Sequence, residues 1–185
     1  MIESHLSLLI VILPLLTAPL VAVFSSGRLA WALCTLVSWV VFAFAVWQLT
    51  NVTSGGVVSY AMGGWAPPWG IEYRIDIANA LVALIVSGIA AVTLPYALQS
   101  VISEIPEKQH SLFYAAFMLC FTGLLGITQT GDIFNLFVFL EISSLSSYAL
   151  ISLGKKRQAL TAAYQYLIMG TLGATFFLIG VGLIY

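Results

Sequence analysis

GDIFNLFVFLEISSLSSYALISLGKKR, residues 131–157, carries one glutamate, Glu141, inside a run that is otherwise apolar or weakly polar. The run is long enough to cross a hydrocarbon layer, which takes about 20 helical residues at about 1.5 Å each. Reading it as a membrane helix decides the fold. It also raises the question of what a carboxylate does at mid-membrane.

The rest of the chain supports that reading. Of its 185 residues, 61% are hydrophobic and 7% charged. Soluble domains run at about one quarter charged, and a soluble core of this size has no room for so much apolar surface. Five further apolar runs bring the spans to six, near residues 6–24, 29–49, 77–98, 111–129, 133–153 and 163–185. Strand-like alternation is absent from them, and backbone in lipid must pair its polar groups internally, so these runs default to helices. The expected fold is all-α: one polytopic transmembrane domain over residues 1–185. The N-terminus has Glu3 in place of a basic n-region and reads as a retained first helix rather than a secretion signal.

Loop charge sets an expected orientation. Arg28, Lys108, Lys155, Lys156 and Arg157 follow the first, third and fifth spans, and Arg74 alone lies on the other side. The positive-inside rule then makes the first set cytoplasmic and the N-terminus external, in a cell inner membrane. By the same count Tyr185 ends outside. Residues 50–76 form the longest connection, rich in Gly and aromatics, with Pro67 and Pro68 blocking regular helix. It reads as an external lid at the interface, with Tyr60, Trp65, Trp69 and Tyr73 at headgroup level. Asp76 is placed to cap the third span. Asn51-Val52-Thr53 matches a glycosylation sequon, a pattern too short to weigh much.

Net charge of -1 offers no basis for a nucleic-acid partner. Cys34 and Cys120 sit singly in apolar runs and read as small buried hydrophobes; no metal or cofactor motif is present. An intramembrane enzyme is disfavoured by the lack of any Ser/His, HExxH or paired-aspartate arrangement.

Glu141 lies near the centre of the fifth span. A charge there costs about 2.5 to 3.5 kcal/mol on insertion scales. Either the carboxyl stays protonated because desolvation disfavours its charged form, or a cation or water holds it ionised. A group poised between these outcomes takes up and releases protons, which is what a proton path requires. Ser144 and Tyr148 share its helix face and suggest a polar track opening toward Lys155, Lys156 and Arg157. Ser143, Ser146 and Ser147 add small hydroxyls for water or close packing. The bland alternative is a protonated Glu141 bonded to a neighbouring helix. Asp132, just before the span, is a helix cap or a point where protons enter, with capping favoured. His110, beside Glu104, Glu107 and Lys108, reads as a solvated loop histidine. Pro14 and Pro19 are expected to kink the first helix, Gly170, Gly173 and Ala174 to pack closely, and Tyr164 and Gln165 to bond toward the fifth span.

GDIFNLFVFLEISSLSSYAL, followed by QALTAAYQYLIMGTLGATFFLIGVGLIY, resembles the large antiporter-like subunits of membrane ion-transport complexes, and among them the D-type component of the multisubunit Mrp-type Na+/H+ antiporters. More distant likenesses are the proton-pumping membrane subunits of respiratory complex I and of membrane-bound hydrogenases. MGGWAPPWGIEYRID resembles the family's external loop before the third helix.

The resemblance implies proton translocation, coupled to sodium export, within a complex of other membrane subunits and without a cofactor of the chain's own. The family's fifth-helix glutamate corresponds to Glu141. Its partner in the family is a lysine on a broken seventh helix, for which these residues hold no counterpart, so another chain is expected to supply it. Two alternatives stay open: a proton-pumping membrane subunit of an NADH-quinone oxidoreductase or hydrogenase-type complex, with redox chemistry in its partners, and a structural subunit without transport.

Overall fold

The computed structural model describes residues 2–24, 26–65 and 69–184, with backbone alone at 2–4 and 6. Pro67, Pro68 and Tyr185 lie outside these residues. Among the described residues six α-helices follow in order: α1 (Ile2–Ala22), α2 (Gly27–Gly55), α3 (Ile77–Glu104), α4 (His110–Gln129), α5 (Ile133–Ser152) and α6 (Arg157–Ile184). The last five are long and apolar enough to cross a membrane; the apolar part of α1, Ser7–Ala22, is shorter. The molecule is a multi-pass helical membrane protein.

Several boundaries differ from those the hydropathy predicts. α2 runs on to Gly55, and α6 begins at Arg157, because polar residues continue a helix past the lipid edge at little cost. α3 extends to Glu104. α1 passes through Pro14 and Pro19 as one helix, and α3 does the same at Pro95.

The stretch read as an irregular lid contains a hairpin. β1 (Val58–Ala61) pairs antiparallel with β2 (Glu72–Ile75), Tyr60 opposite Tyr73. Gly56 lets α2 stop and the chain turn, with φ 85, a conformation that a side chain disfavours. Tyr73 also bridges to Thr130, and Gly131 N–H donates to the Glu72 carbonyl at 2.8 Å, so the hairpin is fastened to the α4–α5 connection. Of the four aromatics expected at the interface, Trp65 and Trp69 are exposed and Tyr60 half-buried. Tyr73 is buried at 1% exposure and belongs to the core.

α4 is the central helix, packing against α1, α2, α3 and α5. More than half of its apolar window is buried (56%), against 6% for α6, which rests on α5 alone among the strong contacts. Glycine permits the closest approach. A Cβ on Gly123 would fall 2.6 Å from the Ser143 amide nitrogen, and one on Gly126 would strike the Phe139 ring. Without a hydrophobic drive between helices in lipid, such close backbone contact is a main source of packing energy.

Candidate functional site

α5 is positioned from its N-terminus. The Asp132 carboxylate accepts from Asn135 N–H at 2.6 Å, closing the first turn as the sequence led one to expect. The buried Asn135 amide donates to Thr130 Oγ1 at 3.0 Å, tying the turn to the end of α4. Asp76 caps α3 in the same way, accepting from Asn79 N–H at 2.8 Å.

Two faces of α5 then diverge. Phe139 and Ser143 lie against the glycines of α4. The second face carries Phe137, Glu141, Ser144 and Tyr148, at the four-three-four spacing of one helical stripe. Both ends of this stripe meet α6: Phe137 stacks on Phe177 with ring centroids 6.1 Å apart, and Tyr148 meets Tyr166 edge-on at 5.0 Å. The Tyr148 hydroxyl rests on Gly170, where any side chain would collide with it. Glu141 therefore sits on the α6-facing stripe, half-buried, with no hydrogen bond or ion pair to another described residue. Ser144 is half-buried and equally unbonded among the described residues, and Tyr148 is buried.

The other serines turn elsewhere. Ser146 donates to the Ile142 carbonyl at 2.6 Å, and Ser147 to the Ser143 carbonyl at 2.9 Å. Ser143 and Ser147 also approach the Cys120 thiol, at 3.8 and 3.4 Å, so Cys120 sits among hydroxyls on the α4–α5 seam rather than among hydrophobes alone. The predicted basic mouth is looser than expected: Lys155, Lys156 and Arg157 are exposed, and Lys155 Nζ donates to the Ser103 carbonyl at 2.6 Å, pinning the α5–α6 turn to the end of α3. Tyr164 and Gln165 are exposed and make no bond toward α5 among the described residues.

Known proteins agree with this architecture. A family model described as "NADH:quinone oxidoreductase/Mrp antiporter, TM" matches residues 130–185, the segment holding α5 and α6. The chain belongs to this family of antiporter-like membrane proteins. It is 45% identical, over 98% of its length, to an NADH-quinone oxidoreductase component (the N-type chain) of Desulforudis audaxviator, and covers 36% of that protein. It is 30% identical over 76% of its length to the D-type chain of the Na(+)/H(+) antiporter of Alkalihalophilus pseudofirmus, covering 28% of it. Among solved structures it superposes on a chain of the Mrp complex from Dietzia sp. with a TM-score of 0.87 and 30% identity, along all of this chain and 34% of the other. This antiporter-like chain thus spans about a third of the length of its relatives.

Sequence reasoning missed three features. Gln48 and Gln129 form a buried amide pair between α2 and α4, and their only sequence signal was two glutamines in apolar runs. His110 is not solvated: it is 9% exposed, its Nε2 lies 3.0 Å from the Ile105 carbonyl, and its Cβ packs on Gly27. The asparagine of the sequon lies within α2.

Proposed function

We propose that this chain carries part of the proton path of a multisubunit monovalent cation/proton antiporter, as a D-type component of the Mrp kind. The observation that supports the reading best is Glu141: mid-helix, half-buried, on the α5 stripe turned toward α6, and without a partner among the described residues. An intramembrane carboxylate is costly to keep, so its presence argues for use. Its charge state then depends on what a neighbouring helix or water brings to it. Ser144 and Tyr148 continue the stripe toward the basic end of the bundle and offer hydroxyls to water along it.

The cation that would act on Glu141 is proposed to come from a further lysine-bearing helix. The largely exposed α6 is the surface against which more of the assembly would pack. Other membrane subunits complete the complex, with Na+ as the proposed counter-ion and a cell inner membrane as its location. The five basic residues at one end support an external N-terminus. Glu141→Gln in the native assembly, reconstituted in vesicles, tests the reading. Exchange driven by a pH gradient should be lost while the complex still assembles, and unchanged exchange would count against the proposal.

One observation favours a second reading. The 45%-identical relative is named as part of an NADH-quinone oxidoreductase, which supports a proton-pumping role in a respiratory complex. Glu141 would have the same duty there. The proteins that co-purify decide: membrane antiporter proteins alone, or cluster-bearing redox proteins as well.

A further inference from the structure

At the end of the bundle that holds most of the basic residues, α2 begins, α3 ends, α4 begins and α5 turns into α6. Between them lies a cavity of about 670 Å³ that the proton path does not use. Three features of its lining favour an anion. α2 opens at Gly27 with Ser26 in the cap position and no side chain capping it, so the first N–H groups of a 29-residue helix face outward unsatisfied by a side chain. Arg28 lines the cavity and has no hydrogen bond or ion pair among the described residues. Lys155 reaches it from the α5–α6 turn, its ammonium held by the Ser103 carbonyl.

A separate observation concerns an unmet hydrogen bond. Tyr114, one helical turn beyond His110 on α4, also lines the cavity; it is wholly buried, and its hydroxyl has no hydrogen-bond partner among the described residues. Buried hydroxyls without partners are rare because the lost hydration is not repaid; a ligand oxygen would repay it once the ring turns the hydroxyl toward the cavity. Glu107 is the one carboxylate on the lining, outnumbered by two cations and a helix N-terminus.

The geometry points to a binding site for a phosphate-type oxyanion, with an anionic phospholipid headgroup as its source. The rest of the lining favours the lipid over free phosphate: Leu98, Val101 and Ile102 of α3, with Ile105 just after it, add apolar side chains to the charged ones, as a headgroup with attached acyl chains needs. Exposed Lys108 stands at the same end but off the lining, and so serves as a control.

Native mass spectrometry of the purified full chain, titrated with phosphatidylglycerol, phosphatidylcholine or inorganic phosphate, tests the site. Phosphatidylglycerol should be retained well above phosphatidylcholine. Arg28→Gln and Lys155→Gln should each lower its retention about fivefold, the contribution of one basic residue near an anionic surface. Tyr114→Phe should lower it as well, whereas Arg28→Lys and Lys108→Gln should not. Equal retention of the two lipids, or a loss in Lys108→Gln matching that in Arg28→Gln, overturns the site in favour of general surface charge. Inorganic phosphate binding as tightly as phosphatidylglycerol overturns the lipid source.

Discussion

Gln48 and Gln129, 81 positions apart in the chain, exchange two amide hydrogen bonds, Gln48 Nε2 to Gln129 Oε1 at 2.8 Å and Gln129 Nε2 to Gln48 Oε1 at 3.1 Å. Both are buried, at 3% and 0% exposure, and Gln48 also donates to Ser7 Oγ on α1 at 3.0 Å. One amide pair thus ties three helices together. Gln129→Leu leaves the Gln48 amide short of partners and should cost about 1 kcal/mol, the scale of polar contacts between membrane helices. The double change to leucine should recover part of that loss, because neither amide is then stranded and only Ser7 Oγ loses its donor. Denaturation in mixed detergent micelles measures both.

The stripe beside Glu141 allows a graded test. Tyr148→Phe keeps the ring against Tyr166 and removes the hydroxyl that rests on Gly170, so stability should fall by no more than about 1 kcal/mol. If the hydroxyl carries water for the proposed path, exchange should slow while assembly holds. Ser144→Ala should behave alike, and the two together should exceed either alone. Proton flux in vesicles is the measurement.

Asp132 separates two roles by chemistry. Asparagine caps helices about as well as aspartate, whereas alanine costs about 1 kcal/mol. Asp132→Asn should therefore keep both stability and transport, and Asp132→Ala should lose stability first. Transport lost in a fully stable Asp132→Asn would place Asp132 on the proton path.

Close approach at the α4–α5 seam predicts a steric effect. Gly126→Val puts a branched side chain where the Phe139 ring lies, and overpacking of this kind costs about 1 to 3 kcal/mol. Adding Phe139→Ala should restore space and part of the stability. Thermal unfolding of the single and double variants reads the coupling.

Burial pushes the Tyr73 phenol up to about 12 from an ordinary 10.0. The folded state therefore holds its proton between those values while the unfolded chain has released it. Its contribution is full below pH 10 and is lost as pH rises through 12, a fall of up to about 3 kcal/mol in stability. Tyr73→Phe should flatten that alkaline decline in unfolding measurements between about pH 9 and pH 12.

Local features were legible where one segment contains the whole cause. Asp76 and Asp132 cap the helices they precede because donor and acceptor are three residues apart. Glu141 could be put at mid-helix by counting along one apolar run. The serines could not be sorted so simply: helical spacing relates Ser144 to Glu141, but only the position of α4 sends Ser143 and Ser147 to Cys120. The burial of His110 and the register of the hairpin depend in the same way on residues far off in the chain.

The amino-acid order alone determined a helical membrane protein, its basic and non-basic ends, and a carboxylate midway along α5. Those properties follow from hydropathy, charge and backbone pairing, which act along one segment at a time. Tertiary packing decided which face of α5 meets α6, which glycines let helices touch, and which polar groups share a buried pair. Each of those depends on where a second helix lies, a distance that spacing within one helix does not encode.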